Sequence, residues 1–334
     1  MKHAVARALA VVAFVAVAFG AQMVEAQSLT REVEGTAGQS TEHSTAAAVQ
    51  VRLFGPLKSD WRINVEGSWA GVTNSLSTAF GTAFPYDGRM SLMEAYAEKM
   101  FRPAKGLFSV RLGRYRTPFG ISSRSDHAYS GFTRAPLIRY GGNFALSNTS
   151  FETGANVLVG IPALSVETTV GTPMDAGDNG RPRTLDGVVR VQGVYRSLIV
   201  GSSYLNTRTY PMGDFVQGRM LFRGVDVRWM HAGLQLRGEW IDGRSFDGVA
   251  TRGGYADVLL HVRAMGPVTA VARVEKLDYD AGPFSFYDKR YVVGARIGVA
   301  RYTFVQFNLL HQPGGLPTGR TLAFDASITR TVRF

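Results

Sequence analysis

Residues 187–196 read Gly-Val-Val-Arg-Val-Gln-Gly-Val-Tyr-Arg, in which apolar and polar side chains alternate. In an extended chain Val189 and Val191 point to one side, and Arg190 and Gln192 point to the other. A period of two residues predicts a β-strand whose two faces meet different surroundings. The pattern does not say which face is outside, because soluble sandwiches and membrane barrels both alternate.

The same alternation recurs along the chain, and the links between the alternating segments are short and long in turn. It is seen again in Leu234–Asp242, Ala256–Ala264 and Tyr291–Val299. Ile161–Ala163 is one of the short links, and 116–148 is the longest of the others. Short turns at one end and long loops at the other are typical of outer-membrane barrels. We therefore expect an all-β fold, a transmembrane antiparallel β-barrel.

The amino-terminal residues predict export from the cytoplasm. The basic residues Lys2 and Arg7 precede the apolar stretch Ala8–Ala21, and small or β-branched residues precede a cleavage site after Ala26. This is the arrangement of a secretory signal peptide, residues 1–26. The alternative is a membrane anchor, but the apolar stretch is short for crossing ~30 Å of hydrocarbon.

The mature chain, residues 27–334, is predicted to be one basic barrel domain without disulfides. Loss of the signal peptide removes two basic residues and one acidic residue, so the net charge changes from +11 to +10. Of the 37 basic residues 31 are arginine, and there is no cysteine. A closed hydrogen-bonded barrel supplies the stability that disulfides would otherwise give an exported protein. The expected partners are small anionic solutes, outer-membrane lipid and lipopolysaccharide rather than nucleic acid.

The carboxyl-terminal segment resembles the final strand of outer-membrane barrels. One of its faces carries five apolar residues, which are Leu322, Phe324, Ile328, Val332 and Phe334. Arg330 interrupts this face. The resemblance implies that the barrel assembly machinery recognises Phe334, and that the protein resides in the bacterial outer membrane.

The links between segments also predict the number of strands. They divide the chain into fifteen segments between residue 42 and the end. The order of long and short links makes 42–54 a strand that runs from the end with long links to the end with short turns. Another strand must therefore run in the opposite direction before it. Ser28–Gly35 is the only candidate, which gives sixteen strands, and even numbers are the rule in these barrels. Because Ser28–Gly35 is weakly apolar, fourteen strands remains an alternative. Sixteen strands leave an aqueous channel.

A stretch before the longest link resembles part of a known porin family. Residues 113–120 read Gly-Arg-Tyr-Arg-Thr-Pro-Phe-Gly, and Glu94-Ala95-Tyr96 lies on the preceding segment. The porin family that includes the phosphate- and polyphosphate-selective porins carries a similar Gly-basic-aromatic-basic-x-Pro-Phe-Gly stretch before its third long loop. The resemblance implies a sixteen-stranded homotrimeric barrel whose third long loop folds inward and narrows the pore. It also implies that Arg116–Asn148 is the constriction loop.

The segment around this loop is strongly basic. Between Leu107 and Ser150 there are six arginines and a single acid, Asp126. We predict that these arginines line the pore constriction and bind anions: Arg111, Arg114, Arg116, Arg124, Arg134 and Arg139. Cationic groups in a low-dielectric pore favour anions. The alternative is that they bind lipopolysaccharide phosphates or pair with acids of other loops. The loop lacks the lysines on which phosphate selectivity in the family relies, so we predict a preference for small anions in general.

Catalysis has weak support in the sequence. Ser125-Asp126-His127 brings a hydroxyl, a carboxylate and an imidazole together, but sequence neighbours seldom form a triad, and no Gly-x-Ser-x-Gly motif surrounds Ser125. The six histidines have no metal-ligand spacing, so neither a metal nor a cofactor is expected. The prediction is a passive diffusion channel without enzymatic activity. The alternative is a non-conducting barrel that acts as an anchor, an adhesin or a hydrolase.

Overall fold

The structure is a computed structural model. It describes residues 29–42, 44–73, 90–103, 105–121, 131–139, 151–173, 185–208, 219–244, 249–262, 264, 266–280, 282, 285–316 and 319–334. The predicted signal peptide lies outside the described residues, and so do Arg124 and the Ser125–His127 stretch.

The described residues form sixteen antiparallel strands that close into one barrel. Each strand is hydrogen-bonded to its neighbours in the sequence, and β1 pairs with β16. The strands are β1 (Thr30–Ser40), β2 (Ser44–Pro56), β3 (Trp61–Val72), β4 (Met90–Phe101), β5 (Leu107–Arg116), β6 (Phe151–Ile161), β7 (Leu164–Pro173), β8 (Asp186–Tyr195), β9 (Leu198–Arg208), β10 (Arg219–His231), β11 (Leu234–Arg244), β12 (Ala250–His261), β13 (Val268–Asp280), β14 (Phe286–Ala300), β15 (Thr303–His311) and β16 (Leu322–Arg333). The predicted all-β barrel of sixteen strands is confirmed, and the alternative of fourteen is excluded.

The first strand lies later in the chain than the sequence predicts. It covers Thr30–Ser40 rather than Ser28–Gly35, and β2 begins at Ser44 rather than at residue 42. The outward positions in the second half of β1 include Gly35 and Ala37. Because such small residues add little hydropathy, the alternation of this strand is weak in the sequence.

The apolar face of the strands points outward and the charged face lines the lumen. Val189 and Val191 are 43% and 40% exposed, whereas Arg190 between them is 2% exposed. Exposed aromatic side chains lie near both ends of the wall, and they include Trp61, Phe101, Tyr195, Tyr302, Trp240 and Tyr287. This apolar exterior with aromatic ends is what a wall in contact with hydrocarbon requires.

The connections at the two ends of the barrel differ in length. At one end they are tight, and Ala232-Gly233 joins β10 to β11 with φ angles of 47° and 88°. Two successive positive φ angles are the geometry of a type I′ hairpin, which suits the twist of the strands. At the other end lie the longer links, of which 117–150 between β5 and β6 is the longest. In outer-membrane barrels the end with long loops is the external one.

The carboxyl terminus completes the closure of the barrel. The Phe334 backbone N–H donates to the Arg31 carbonyl oxygen at 2.9 Å, and the Arg31 N–H donates to the Phe334 carbonyl oxygen at 3.4 Å. The predicted apolar face of the last segment points outward in full, with exposures from 37% at Val332 to 67% at Phe334. Recognition of Phe334 by assembly machinery stays a prediction.

Candidate functional site

The loop between β5 and β6, the third at the end with the long links, enters the barrel. Its described parts are residues 117–121 and 131–139. Phe119 is 1% exposed and Ile138 is fully buried. They pack on the inner face of six neighbouring strands, against Val188, Leu205, Met220, Phe222, Ile241, Tyr255 and Leu277. An apolar patch inside an aqueous lumen is costly unless something covers it. The loop is that cover, which confirms the predicted inward fold.

A second apolar contact holds the loop further around the wall. Phe132 is 1% exposed and packs with Leu259, Val271, Val292, Leu310, Leu316 and Ala323. The guanidinium carbon of Arg273 lies 3.9 Å from the centroid of the Phe132 ring, which adds a cation–π contact. The loop is therefore held against β8–β16 at two separate places.

Polar contacts fix the loop between these two apolar clusters. The Thr133 N–H donates to Asn308 Oδ1 at 2.7 Å. Arg134 donates to both carboxylate oxygens of Asp325, at 2.6 and 2.9 Å, and its Nη1 lies 2.6 Å from Glu42. Burial lowers the pKa of Arg134, but the hydrogen bonds and charges of Asp325 and Glu42 outweigh it, so the pKa is raised. Arg134 is thus a permanently charged clamp between the loop and the wall.

The wall also binds the backbone of the loop. Glu275 on β13 accepts the Leu137 N–H at 2.7 Å. Arg290 on β14 forms a 2.9 Å ion pair with the same carboxylate and donates to the Ala135 carbonyl oxygen. A buried ion pair is stable only when its remaining donors and acceptors are satisfied. Here the loop backbone satisfies part of that requirement, so the loop and the charged wall stabilise each other.

Two glycines of the motif at 113–120 are required by their surroundings. Gly113 has a φ of +127°, and a Cβ there would lie 2.2 Å from the Ala95 carbonyl oxygen. Gly120 has a φ of +57°, and a Cβ would lie 1.7 Å from Glu239 Oε1. The other oxygen of Glu239 accepts the Ile121 N–H at 3.2 Å. Only glycine combines such φ angles with so close an approach, so these residues set the path by which the chain enters the lumen.

Arg111 lies on the inner face of β5, among acids of the neighbouring strands. Its Nη2 is 3.5 Å from Glu98, and its Nη1 is 3.9 Å from Glu167. The guanidinium stacks on Tyr96, with 4.5 Å between its central carbon and the ring centroid. Its side chain keeps 17% of its surface exposed.

Arg116 ends β5 and is more deeply held than Arg111. Its Nη2 lies 2.8 Å from Glu66, its Nε lies 3.9 Å from Glu94, and its side chain is 9% exposed. The backbone N–H of Arg116 also donates to Glu94, at 3.0 Å. These acids fix the point at which the chain leaves the wall and turns inward.

The other predicted arginines lie elsewhere. Arg134 contacts Asp325 on β16 and Glu42 in the link before β2. Arg114 follows Arg111 by three residues on β5, and it donates its Nε–H to the Met93 carbonyl oxygen at 3.1 Å. Arg139 ends a single 3₁₀ turn, Leu137–Arg139. Arg111 and Arg116 thus lie among acids of β3, β4 and β7, whereas Arg134 binds Glu42 and Asp325.

Sequence reasoning missed Arg52 on β2. Its Nη2 lies 2.7 Å from Glu66 and its Nη1 lies 3.4 Å from Glu32, and 22% of its side chain is exposed. It joins Arg116 around the shared carboxylate of Glu66. The alternation of β2 could have identified it, since Gln50 and Arg52 fall on the charged face of that strand.

Exposure separates two sides of the lumen. Arg52 and Arg111, on β2 and β5, are 22% and 17% exposed. Glu94 and Glu98 on β4 are each 13% exposed. Under the loop the charged pairs are closed off, and Arg290 with its partner is fully buried. Arg52, Arg111, Glu94 and Glu98 thus give β2–β5 a set of water-accessible charges, and Arg228 on β10 and Arg296 on β14 are also partly exposed on the inner face.

The described residues contain no group of three or more His, Cys, Asp or Glu side chains placed to hold a metal ion. Within the same parts of the chain, no helix is long and apolar enough to span a membrane.

No family model matches the chain, and no curated protein matches it in sequence. Solved structures do match it in fold, and they include bacterial outer-membrane proteins and a porin. OprB of Pseudomonas putida superposes with a TM-score of 0.65 at 10% identity, covering 92% of this chain and 94% of that one.

Two further structures are similar over nearly their whole length. OmpF of Salmonella typhi, solved in complex with daunomycin, gives a TM-score of 0.61 at 12% identity, covering 92% of this chain and 97% of that one. A mutant porin of Rh. blastica gives 0.52 at 14% identity, with 91% and 99% covered. At these identities the similarity establishes the fold, a closed sixteen-stranded barrel.

Proposed function

We propose that this chain is a passive diffusion channel of a bacterial outer membrane with a preference for small anions. The observation that carries the proposal is the loop inside the barrel. A barrel of sixteen strands leaves an aqueous channel. A loop held against β8–β16 narrows that channel and does not close it. Diffusion down a gradient needs no energy source and no catalytic group.

The preference for anions is supported by the accessible charges. The side chains of Arg52 and Arg111, which end in guanidinium groups, are 22% and 17% exposed. Three of the carboxylates that hold them, those of Glu32, Glu66 and Glu167, are at most 5% exposed. A permeating ion thus meets the cationic side of these pairs more than the anionic side. In a low-dielectric wall this difference is focused on the ion. The basic mature chain, at +10, acts in the same direction.

We also propose that the chain is related to the porin family that includes the phosphate- and polyphosphate-selective porins. The steric demands on Gly113 and Gly120 support it, since they explain why that motif would precede an inward loop. We do not propose phosphate specificity, because the loop has no lysine. Phosphate at millimolar concentration is therefore expected to leave the chloride current nearly unchanged.

The assembly and location belong to the same proposal. We infer a cleaved signal peptide of residues 1–26, insertion by the barrel assembly machinery through Phe334, and a homotrimer in the outer membrane. One solved OmpT of Vibrio cholerae with this fold is described as a trimer form. The exposed Phe334 at the seam of the barrel is accessible to a protein that recognises it.

The test is the reversal potential of the purified protein in a planar bilayer under a KCl gradient. A stable conductance with a chloride-favouring potential is the expected result. A cation-favouring pore would keep the channel and reject the role of the arginines. Absence of any conductance would reject the channel and favour the alternative of a non-conducting anchor, adhesin or hydrolase.

A further inference from the structure

The outer wall carries a groove that the channel function does not use. It has a volume of about 600 Å³ and lies across β10–β14. Its apolar lining includes Val225, Trp240, Ala256, Val274 and Tyr291. Because the side chains that line it are mostly apolar, the groove is suited to hydrocarbon.

Small residues at matching positions of adjacent strands create the groove. Gly238 on β11 is paired with Ala256 on β12. Trp240 folds over Gly254 of the next strand, where an added Cβ would lie 2.7 Å from the indole. The indole therefore forms one side of the groove and Tyr291 on β14 forms the other. The apolar surface between these two rings can take an acyl chain.

Two lysines stand at the end of the groove nearest the long loops. Lys276 on β13 and Lys289 on β14 are direct cross-strand partners, and both line the groove. Like charges directly opposite each other destabilise a sheet. Two of the six lysines of this arginine-rich chain thus face each other across neighbouring strands. An anionic ligand between the two ammonium groups would relieve their repulsion.

The surroundings of the two lysines remain net positive. Lys276 lies 2.6 Å from Asp278, whereas no acid pairs with Lys289 among the described residues. Next to them, one carboxylate serves two exposed arginines, since Asp242 lies 2.6 Å from Arg223 and 3.0 Å from Arg252. Four basic and two acidic groups share this outer cluster, which leaves a net charge of +2.

We propose that the groove and the outer cluster together bind a phosphorylated lipid of the outer leaflet, the lipid A part of lipopolysaccharide. Val225 and Val274, below the cluster, are 57% and 52% exposed on the hydrocarbon-facing wall. The cluster lies on the side of the external loops, at the level of lipid headgroups. Acyl chains fill the groove, and headgroup phosphates bridge Lys276 and Lys289, with Arg252 beside them. The site requires the membrane orientation proposed above, but it does not require conduction.

The experiment titrates the refolded full-length protein in detergent with bis-phosphorylated lipid A and counts bound lipid by native mass spectrometry. The variant is Lys276→Gln with Lys289→Gln. Basic residues near an anionic surface contribute about 1 kcal/mol each, so binding is expected to weaken roughly 30-fold. The matched control is Lys58→Gln with Lys105→Gln, which removes two exposed lysines from the opposite end of the barrel. It should bind lipid A like the unchanged protein.

A second variant tests the acyl part of the site. Ala256→Trp fills the groove and leaves both lysines in place, so lipid A binding should fall at least tenfold. Dephosphorylated lipid A should bind the unchanged protein and the lysine variant equally. Unchanged binding of lipid A to the lysine variant overturns the proposal. If Ala256→Trp alters the oligomeric state while lipid binding is kept, the groove is covered by a second copy and the proposal is also wrong.

Conductance in a planar bilayer separates this site from the channel. Every variant named here changes the outer wall or the turns, and each should keep the unitary conductance of the unchanged protein. If Ala256→Trp fails to fold, the lysine pair and its control decide the question alone.

Discussion

Arg290 and Arg52 are both arginines of the inner face, yet their surroundings give them different roles. Arg290 is fully buried between Glu275 and the loop backbone, whereas Arg52 keeps 22% of its side chain exposed. Removing one partner of a buried pair costs about 3–5 kcal/mol because the other charge stays buried. Arg290 is therefore structural, whereas the side chain of Arg52 remains accessible to water in the lumen.

The first prediction at this scale concerns the two accessible arginines. The double variant Arg52→Ala with Arg111→Ala should lower the chloride-to-potassium permeability ratio severalfold, because carboxylates such as Glu66 then remain without these counter-charges. The reversal potential under a KCl gradient measures this. Arg330→Ala, on the outward face of β16, is the control and should leave the potential unchanged. An unaltered potential in the double variant would assign ion selectivity to other residues.

Arg134 is expected to hold the loop against the wall of the barrel. In Arg134→Ala the carboxylates of Glu42 and Asp325 lose their buried partner, at a cost of about 3–5 kcal/mol to the docked loop. The loop should leave the wall more often, which appears as current noise and a changed mean conductance in single-channel records. Arg134→Lys keeps the charge and should restore part of the steady current. A steady current identical to that of the unchanged protein in the alanine variant contradicts the clamp.

At the scale of elements, the strands could be predicted well because two-residue alternation and turn length are local properties. The last strand is an example, since its apolar face from Leu322 to Phe334 points outward as predicted. The inner face was less predictable where the loop covers it. Val188 and Phe222 are apolar and point inward, and their partners Phe119, Leu137 and Ile138 lie in a loop that is distant in sequence. Pairings such as that of Arg134 with Asp325 depend on barrel closure, and the sequence contains no local sign of it.

The loop as an element supplies the third prediction. Phe119→Ala removes a ring that is 1% exposed, and truncation of a buried aromatic residue costs about 3–5 kcal/mol. The loop should then be cleaved by added protease several times faster, as followed by gel electrophoresis of the refolded barrel. Phe119→Leu keeps most of the buried volume and should be cleaved at nearly the original rate. Equal cleavage rates for all three proteins would show that Phe119 does not anchor the loop.

The whole molecule is a continuous cylinder whose seam joins the two ends of the described chain. Nine residue pairs align β1 with β16, from Glu32 opposite Arg333 to Ser40 opposite Asp325. A ring of strands has no free edge, and free edges are where sheets aggregate. The contacts across the seam are the most distant in sequence. Because such contacts form slowly, closure is expected to limit the rate of assembly.

The seam supplies the fourth prediction. Deletion of Phe334 removes its two backbone hydrogen bonds to Arg31 and an exposed aromatic ring at the end of β16. Assembly should slow severalfold, as measured by the appearance of the heat-modifiable folded band on a gel. Protein that does fold should keep its normal conductance, because the lumen is unchanged. If the shortened chain assembles at the same rate as the full chain, Phe334 is not part of the assembly signal.

The bonds between Arg31 and Phe334 join the first strand to the last. The ends of the chain could therefore lie between any other two strands without changing the pairing of strands in the barrel. A gene rearranged so that a short linker joins residue 334 to residue 30, with new ends opened in the link between β13 and β14, would encode the same cylinder. Such a circular permutant would keep every neighbour of every strand, but Phe334 would no longer end the chain, so assembly through Phe334 should slow while the folded barrel stays the same. The two ends of the chain could in this way be moved to any of the longer links, and a reporter domain could be fused there.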